Sequence, residues 1–341
     1  MNEFPALDGL LTELEQAAAA ADGARAERAF GALVGGLQAA DDAQCHAVAG
    51  RLAALVPAYP PVWPRAMPAL AAGFCVERGA DPMDCAGPVL AGLREEIEAA
   101  LECAARWPDG AGELPAPDRA DIDGLIGTLG GDQRAVRLAV AWCGLREWFP
   151  PAFAVLGSAA VRRRYAAELL PALGELDALD RHGLRPLHCT AALLDEPLTV
   201  LHRPTGTGYE VRISGIGDNF QLHVLLAHVL IGGGHLPGTA PAPEVVRLAT
   251  DPAPATGRSG VIARGAFELL APDGRRIWNE GLPADVPVVD GRRLLVLDHP
   301  AYQRSWNADR YFPELPGSAE LLRVLPAEEA RARFATTTLG G

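Results

Sequence analysis

Six of the eight histidines, His182, His188, His202, His223, His228 and His235, gather around residue 197, where the chain changes character. Neutral imidazole is a good zinc ligand, so this clustering raises metal chemistry first. The spacing argues against the simplest version. His223 and His228 are five apart on one expected helix, about 140° around its axis, so they do not face one ion together. The paired-histidine helix of metalloproteases needs four-residue spacing and an adjacent glutamate, and neither occurs. A site could still form by tertiary proximity, with His202 and His188 or Cys189 joining one of the helical pair. Zinc is the ion that the set His188, His202, His223 and His228 would suit, with Asp218 as a proton carrier. The plainer expectation is that each histidine packs at a helix end or bonds a carbonyl, with no cofactor bound.

Other catalytic patterns fall short. Gly215-x-Gly217 lies between an expected strand and helix, where a dinucleotide fingerprint would sit, but its third position is Phe220 and Asp218 opposes a pyrophosphate. Asp298-His299 and Ser305 could be pieces of a triad. No nucleophile elbow accompanies them, because Gly257-Arg258-Ser259-Gly260 brings its second glycine one place too early.

Two segments carry residues suited to recognition. Ile277 to Gly281 and Tyr302 to Phe312 combine tryptophan, tyrosine and arginine, the residues that dominate binding hot spots, with asparagine and glutamate for directional hydrogen bonds. Trp278, Glu280, Arg304, Trp306 and Asn307 are the candidate contact residues. The competing expectation is that these aromatics pack onto a sheet while Arg–carboxylate pairs fix the chain.

Composition narrows the chemistry. All 30 basic residues are arginine. Without lysine there is no Walker-type phosphate loop, no kinase ATP lysine, no Schiff base to pyridoxal phosphate and no Ser-Lys dyad. The net charge of −13 argues against nucleic acid or anionic membrane as partner. Arg162-Arg163-Arg164 is the one basic run, and on a helix its members point in different directions. The six cysteines lack zinc-finger or CxxC spacing and read as small buried hydrophobes. The start of the sequence lacks a basic-then-apolar leader, and the apolar run around Phe220 to Ile231 is too short to span a bilayer. A reduced, soluble, cytoplasmic protein is expected.

These residues must be positioned by two unlike regions. Residues 1–196 read as an all-helical scaffold, a bundle or an irregular helical-repeat array. Apolar stripes at Leu7/Leu10/Leu11/Leu14, Phe30/Leu33/Val34/Leu37 and Cys45/Val48/Leu52/Leu55 carry helical spacing. Asp41 or Asp42 caps the third helix and Pro57 stops it; a fourth starts at Pro64, and Trp107 to Asp118 is a loop. Residues 197–341 read as a small antiparallel sheet with a central buried helix. A hairpin joins Leu198–Arg203 to Tyr209–Ser214, and Asp273-Gly274 and Asp290-Gly291 mark two more. Asp218, with Gln221 three residues on, caps the helix running to Ile231.

The fold class expected is therefore α+β. The expected function is a non-catalytic interaction protein, a helical scaffold with an α+β module that binds a protein, peptide or small metabolite. The alternative is a metal-assisted hydrolase or small-molecule modifying enzyme with a histidine-lined site at the junction.

Overall fold

A computed structural model describes residues 7–60, 65–117, 122–179, 182–253 and 259–339. The chain divides into two compact units, Met1–Ala191 and Ala192–Gly341. The sequence places the join at 197; residues before that point already belong to the second unit. The Asp195 carboxylate accepts from Ser214 Oγ at 2.5 Å and from the Gly215 N–H at 3.1 Å.

In the first unit the apolar spacing produces α1 (Leu7–Ala19), α2 (Gly23–Ala39), α3 (Asp42–Ala58), α4 (Ala66–Glu77) and α5 (Pro82–Ala105). They are followed by α6 (Ile122–Thr128), α7 (Gln133–Gly144), α8 (Phe149–Leu156), α9 (Ala159–Ala178) and α10 (Arg185–Ala191). Asp22, Asp41, Asp81 and Asp132 each accept a backbone N–H at a helix start, offsetting the orphan donors there. Pro57 does not stop α3; it sits inside the last turn, and the Tyr59 N–H still reaches the Leu55 carbonyl. Pro64, where a fourth helix is expected to start, lies outside the described residues, as does Asp118 at the end of the expected loop.

Helix α5 is the centre of this unit and packs against α3, α4, α7, α8 and α9. Its Cys85, Val89, Leu93, Ile97 and Ala100 form a stripe at helical spacing that is fully buried. At Gly92 a Cβ would meet the Trp148 ring and Val56, so only glycine lets these helices approach so closely. The same helix buries Glu96, which pairs with Arg137 of α7 at 2.6 Å. Arg65, just before α4, lies 3.7 Å from Glu96 and 2.6 Å from Glu95.

The second unit is a sheet with helices on both faces. Its strands are β1 (Pro197–His202), β2 (Thr207–Ser214), β3 (Ile262–Arg264), β4 (Glu268–Leu270), β5 (Val288–Val289), β6 (Arg292–Asp298), β7 (Ser305–Asn307) and β8 (Ser318–Val324). The main sheet runs β4-β6-β1-β2-β8, with β5 also on β6; β3 and β7 make a separate pair. The α+β class holds, but the sheet is mixed instead of antiparallel, because β6 lies parallel to β1. The run Leu294–Leu297 is buried throughout, as a central strand covered on both faces must be.

Two of the three expected hairpins form as paired strands. β1 and β2 pair in register from Pro197↔Arg212 to His202↔Thr207. β5 and β6 join through Asp290 and Gly291, which take φ of 50° and 76°, the left-handed pair that such a turn requires. At Asp273-Gly274 the turn forms, yet its second arm returns only a single bridge, Leu270↔Arg276, before the chain leaves the sheet.

Three further helices complete the unit: α11 (Asn219–Ala227), α12 (Pro243–Thr250) and α13 (Ala327–Ala335). α11 is buried along nearly its whole length and continues into a wider turn over His228–Gly232. With α12 it shares the larger apolar core formed with Val200, Tyr209, Val211 and Leu295. On the opposite face Leu201, Leu294 and Val296 pack with Ala330 of α13.

Candidate functional site

The site is assembled around the start of α11. Gly215 has φ of 65°, and a Cβ there would strike the Pro316 carbonyl, so the turn after β2 needs glycine. Asp218 then caps the helix. Its Oδ1 accepts from the Gln221 N–H at 2.7 Å, while Oδ2 accepts from the Tyr311 N–H at 2.9 Å. One carboxylate thus ties the helix to the C-terminal segment. Burial pushes its pKa up against the backbone N–H groups that favour the anion. The Gln221 side chain accepts from the Gly217 N–H at 2.9 Å and donates to the Ala249 carbonyl at 2.8 Å.

Arg310 forms the second tie. Its guanidinium donates to the carbonyls of Ala249 at 2.7 Å, Asp251 at 2.6 Å and Pro313 at 2.7 Å. Burial lowers its pKa, opposed by Asp251, Glu314 and Asp218. A Cβ at Gly317 would run into Gln221 Nε2 and the Ala249 carbonyl. The end of α12, the start of α11 and the C-terminal segment are therefore held together without spare space.

These ties leave an open cleft of about 420 Å³ between the start of α11, the segment around Glu280 and strand β7 with its continuation. Phe220, Trp306 and Tyr311 supply aromatic walls, and Asp218, Glu280 and Asp309 supply carboxylates. Asn307 and Arg310 complete the lining. The Trp306 ring packs against Phe220 at 5.1 Å and edge-on to His223 at 5.2 Å, which fixes that wall. Asp309 accepts from the Ser259 N–H at 2.9 Å through one oxygen.

Of the sequence candidates, Glu280, Trp306 and Asn307 meet in this cleft. Arg304 does not line it. Its Nη2 donates to both oxygens of buried Glu268 at 2.9 Å, Arg276 pairs with the same carboxylate, and the Tyr302 ring lies 4.7 Å away. This is the fixing role that the competing expectation assigned to such arginines. The Trp278 side chain is 66% exposed outside the lining, while its carbonyl accepts from Asn219 Nδ2 at 2.8 Å. Phe220, Asp309, Arg310 and Tyr311 went unselected in the sequence. Three of these lie within the Tyr302–Phe312 run, and Phe220 directly follows the capped helix start.

The histidines are engaged separately. His223 Nε2 accepts the N–H groups of Ala266 at 2.8 Å and Phe267 at 3.2 Å, so its proton sits on Nδ1. Burial pushes its pKa down to about 4, aided by Arg304 and opposed by the Asn279 side chain. His202 is buried with Nδ1 2.8 Å from Thr205 Oγ1, and burial lowers its pKa too. Both rings flank Phe267, at centroid distances of 6.1 Å for His202 and 5.8 Å for His223. His228 is exposed at the end of α11. His188 belongs to the first unit, where its Nδ1 lies 3.3 Å from Asp177 Oδ2. Among the described residues, no three or more His, Cys, Asp or Glu side chains are grouped to hold a metal ion.

The first unit has an open groove of about 590 Å³ lined by Phe30, Tyr59, Met67 and small residues. Among the described residues Glu27 is its one charged wall, which gives little for directional recognition.

Comparison with protein-family models, curated proteins and solved structures found no match. The functional reading therefore rests on the cleft.

Proposed function

We propose that this chain is a non-catalytic interaction protein whose second unit recognises a protein segment, peptide or small metabolite, with the helical unit as scaffold. The observation that carries this reading is the convergence of Glu280, Trp306 and Asn307, from two separate segments, on one cleft. Aromatic walls with a few directional polar groups are the usual makeup of a recognition site. The polar groups behind them are engaged in holding the backbone: Asp218 accepts from two N–H groups and Arg310 donates to three carbonyls. A metal-assisted hydrolase would want His223 Nε2 as a ligand, yet that lone pair already accepts two backbone N–H groups.

A cytoplasmic setting fits the reading. Cys45, Cys75, Cys85, Cys103 and Cys189 are free thiols, as a reducing compartment would keep them. Among the described residues no helix is long and apolar enough to cross a membrane. The charge of −13 favours partners other than nucleic acid.

The test is a calorimetric screen of amino acids, amines, organic acids, nucleotides, sugars and short peptides against the wild-type chain and Trp306→Ala. Compounds that bind wild type are expected to lose about tenfold or more in affinity in the variant. Binding that is indifferent to Trp306, or no binding across the screen, would overturn the assignment of the cleft.

A further inference from the structure

Resting on that recognition reading, we infer that the group bound in the cleft is an organic cation, a guanidinium or an alkylated ammonium. Several carboxylates on or beside the second unit's strands are matched with arginine: Glu268 with Arg304, Glu210 with Arg323, Glu196 with Arg293 and Asp298 with Arg203. Among the described residues, neither Glu280 nor Asp309 has an ion-pair partner within 4.0 Å.

The arginine that does reach the wall cannot take that role. Arg310 directs both terminal nitrogens to backbone carbonyls. Its charge also lies in the field of Asp251, Glu314 and Asp218. Among the described residues the lining therefore sets the carboxylates Asp218, Glu280 and Asp309 against the single arginine Arg310, beside the rings of Phe220, Trp306 and Tyr311.

Aromatic faces attract cations through their quadrupole, and the attraction grows as water is excluded. Carboxylates at the rim add Coulombic attraction that weakens with salt. The two features come from different side chains and select the same ligand charge. An anion would meet Glu280 and Asp309 unscreened, and a neutral group would leave both carboxylates uncompensated. A compact hydrated metal ion would gain little from the aromatic walls, whereas a weakly hydrated guanidinium or methylated ammonium gains from both. The volume of about 420 Å³ accommodates a side-chain-sized group.

The experiment is a calorimetric titration of the full chain at low salt with two cationic sources. One is the peptide acetyl-Gly-Arg-Gly-amide, with acetyl-Gly-citrulline-Gly-amide as its uncharged isostere; the other is choline, with its neutral carbon isostere 3,3-dimethylbutanol. At least one cation should bind about tenfold tighter than its neutral partner. Glu280→Gln with Asp309→Asn should remove that preference, and rising salt should weaken it. Glu280 is exposed, so the single variant Glu280→Gln keeps the test valid if the double variant misfolds. Whichever source binds tells whether the cation is carried by a peptide or by a free amine. Equal binding of the neutral isosteres, cation binding indifferent to Glu280→Gln, or no cation binding would each overturn the inference. The recognition reading survives any of these results if other compounds bind in a Trp306-dependent way, and falls only if they do not.

Discussion

Each unit buries an ion pair, but the two leave different groups at the surface. The helical unit draws charge inward: Glu96 and Arg137 pair beneath the surface beside the buried Arg65. It presents, among the described residues, no large hydrophobic side chain that is well exposed. The sheet unit holds all of those, Trp278, Tyr302 and Tyr311 among them, and among the described residues gives Glu280 and Asp309 no ion-pair partner at an open cleft. A region that pairs its charges internally and covers its apolar groups is arranged for stability. One that leaves both on display near a cavity is arranged for contact. The same chain therefore separates holding from binding by unit, and mutations should separate along that line.

The largest effect is expected in the helical unit. Glu96→Ala leaves the Arg137 guanidinium buried without its carboxylate and should destabilise that unit by about 3–5 kcal/mol, read as a loss of helical signal at lower urea. Glu13→Ala, which breaks the exposed pair with Arg25, should shift the midpoint only slightly. Equal shifts for the two variants would erase the distinction between buried and surface charge.

Next comes an acid response whose largest contributor is His223 of the sheet unit. His223 has a folded pKa of about 4 against an ordinary value near 6.5. Between these values the unfolded chain binds the proton that the folded ring refuses, so stability rises with pH. The contribution is complete above pH 6.5 and is lost as pH falls toward 4, amounting to roughly 3 kcal/mol. Urea midpoints followed by tryptophan fluorescence from pH 7 to 4.5 should show this slope, and His223→Gln should flatten it. A slope unchanged in the variant would assign the acid response elsewhere.

A smaller effect separates two neighbours on the C-terminal segment. Arg304→Ala removes one of two arginines from buried Glu268, costing about 1–2 kcal/mol while leaving ligand affinity in the cleft intact. Trp306→Phe should do the reverse, weakening binding with the smaller change in stability. The smallest effect on folding belongs to Glu280→Gln, expected within about 0.5 kcal/mol of wild type because the side chain is exposed. A large loss of stability there would make Glu280 part of the framework instead of the cleft.

Local signals made much of this architecture legible. Apolar spacing marked the helices, Asp41 and Asp218 announced their caps, and Asp290-Gly291 announced its turn. The parallel partnership of β1 and β6 was not legible, because strand pairing across a long separation is decided by the folded core and leaves no local mark. The continuous apolar run Leu294–Leu297 hinted only that β6 is covered on both faces. At the site, the segments 277–281 and 302–312 were singled out while the roles within them were not. Arg304 and Arg310 have the same side chain, one directed to a carboxylate and the other to three carbonyls, and only tertiary structure assigns them. The histidines misdirect for the same reason. Clustering in sequence suggests a shared ion, whereas His223 is engaged by the N–H groups of residues 266 and 267, far along the chain.

The parallel pairing of β1 with β6 has a consequence for the order of assembly. The hairpin of β1 and β2 can form early from neighbouring residues, but β6 must cross back over a long intervening stretch before the sheet closes. The cleft draws residues from within that stretch, 218, 220 and 280, and from the segment after β6, 306, 307 and 309 to 311. Ligand affinity should accordingly emerge only with the last step of folding. A ligand that binds the completed cleft alone would then pull the population toward the native state by mass action, making occupancy a report on whether the second unit has finished folding.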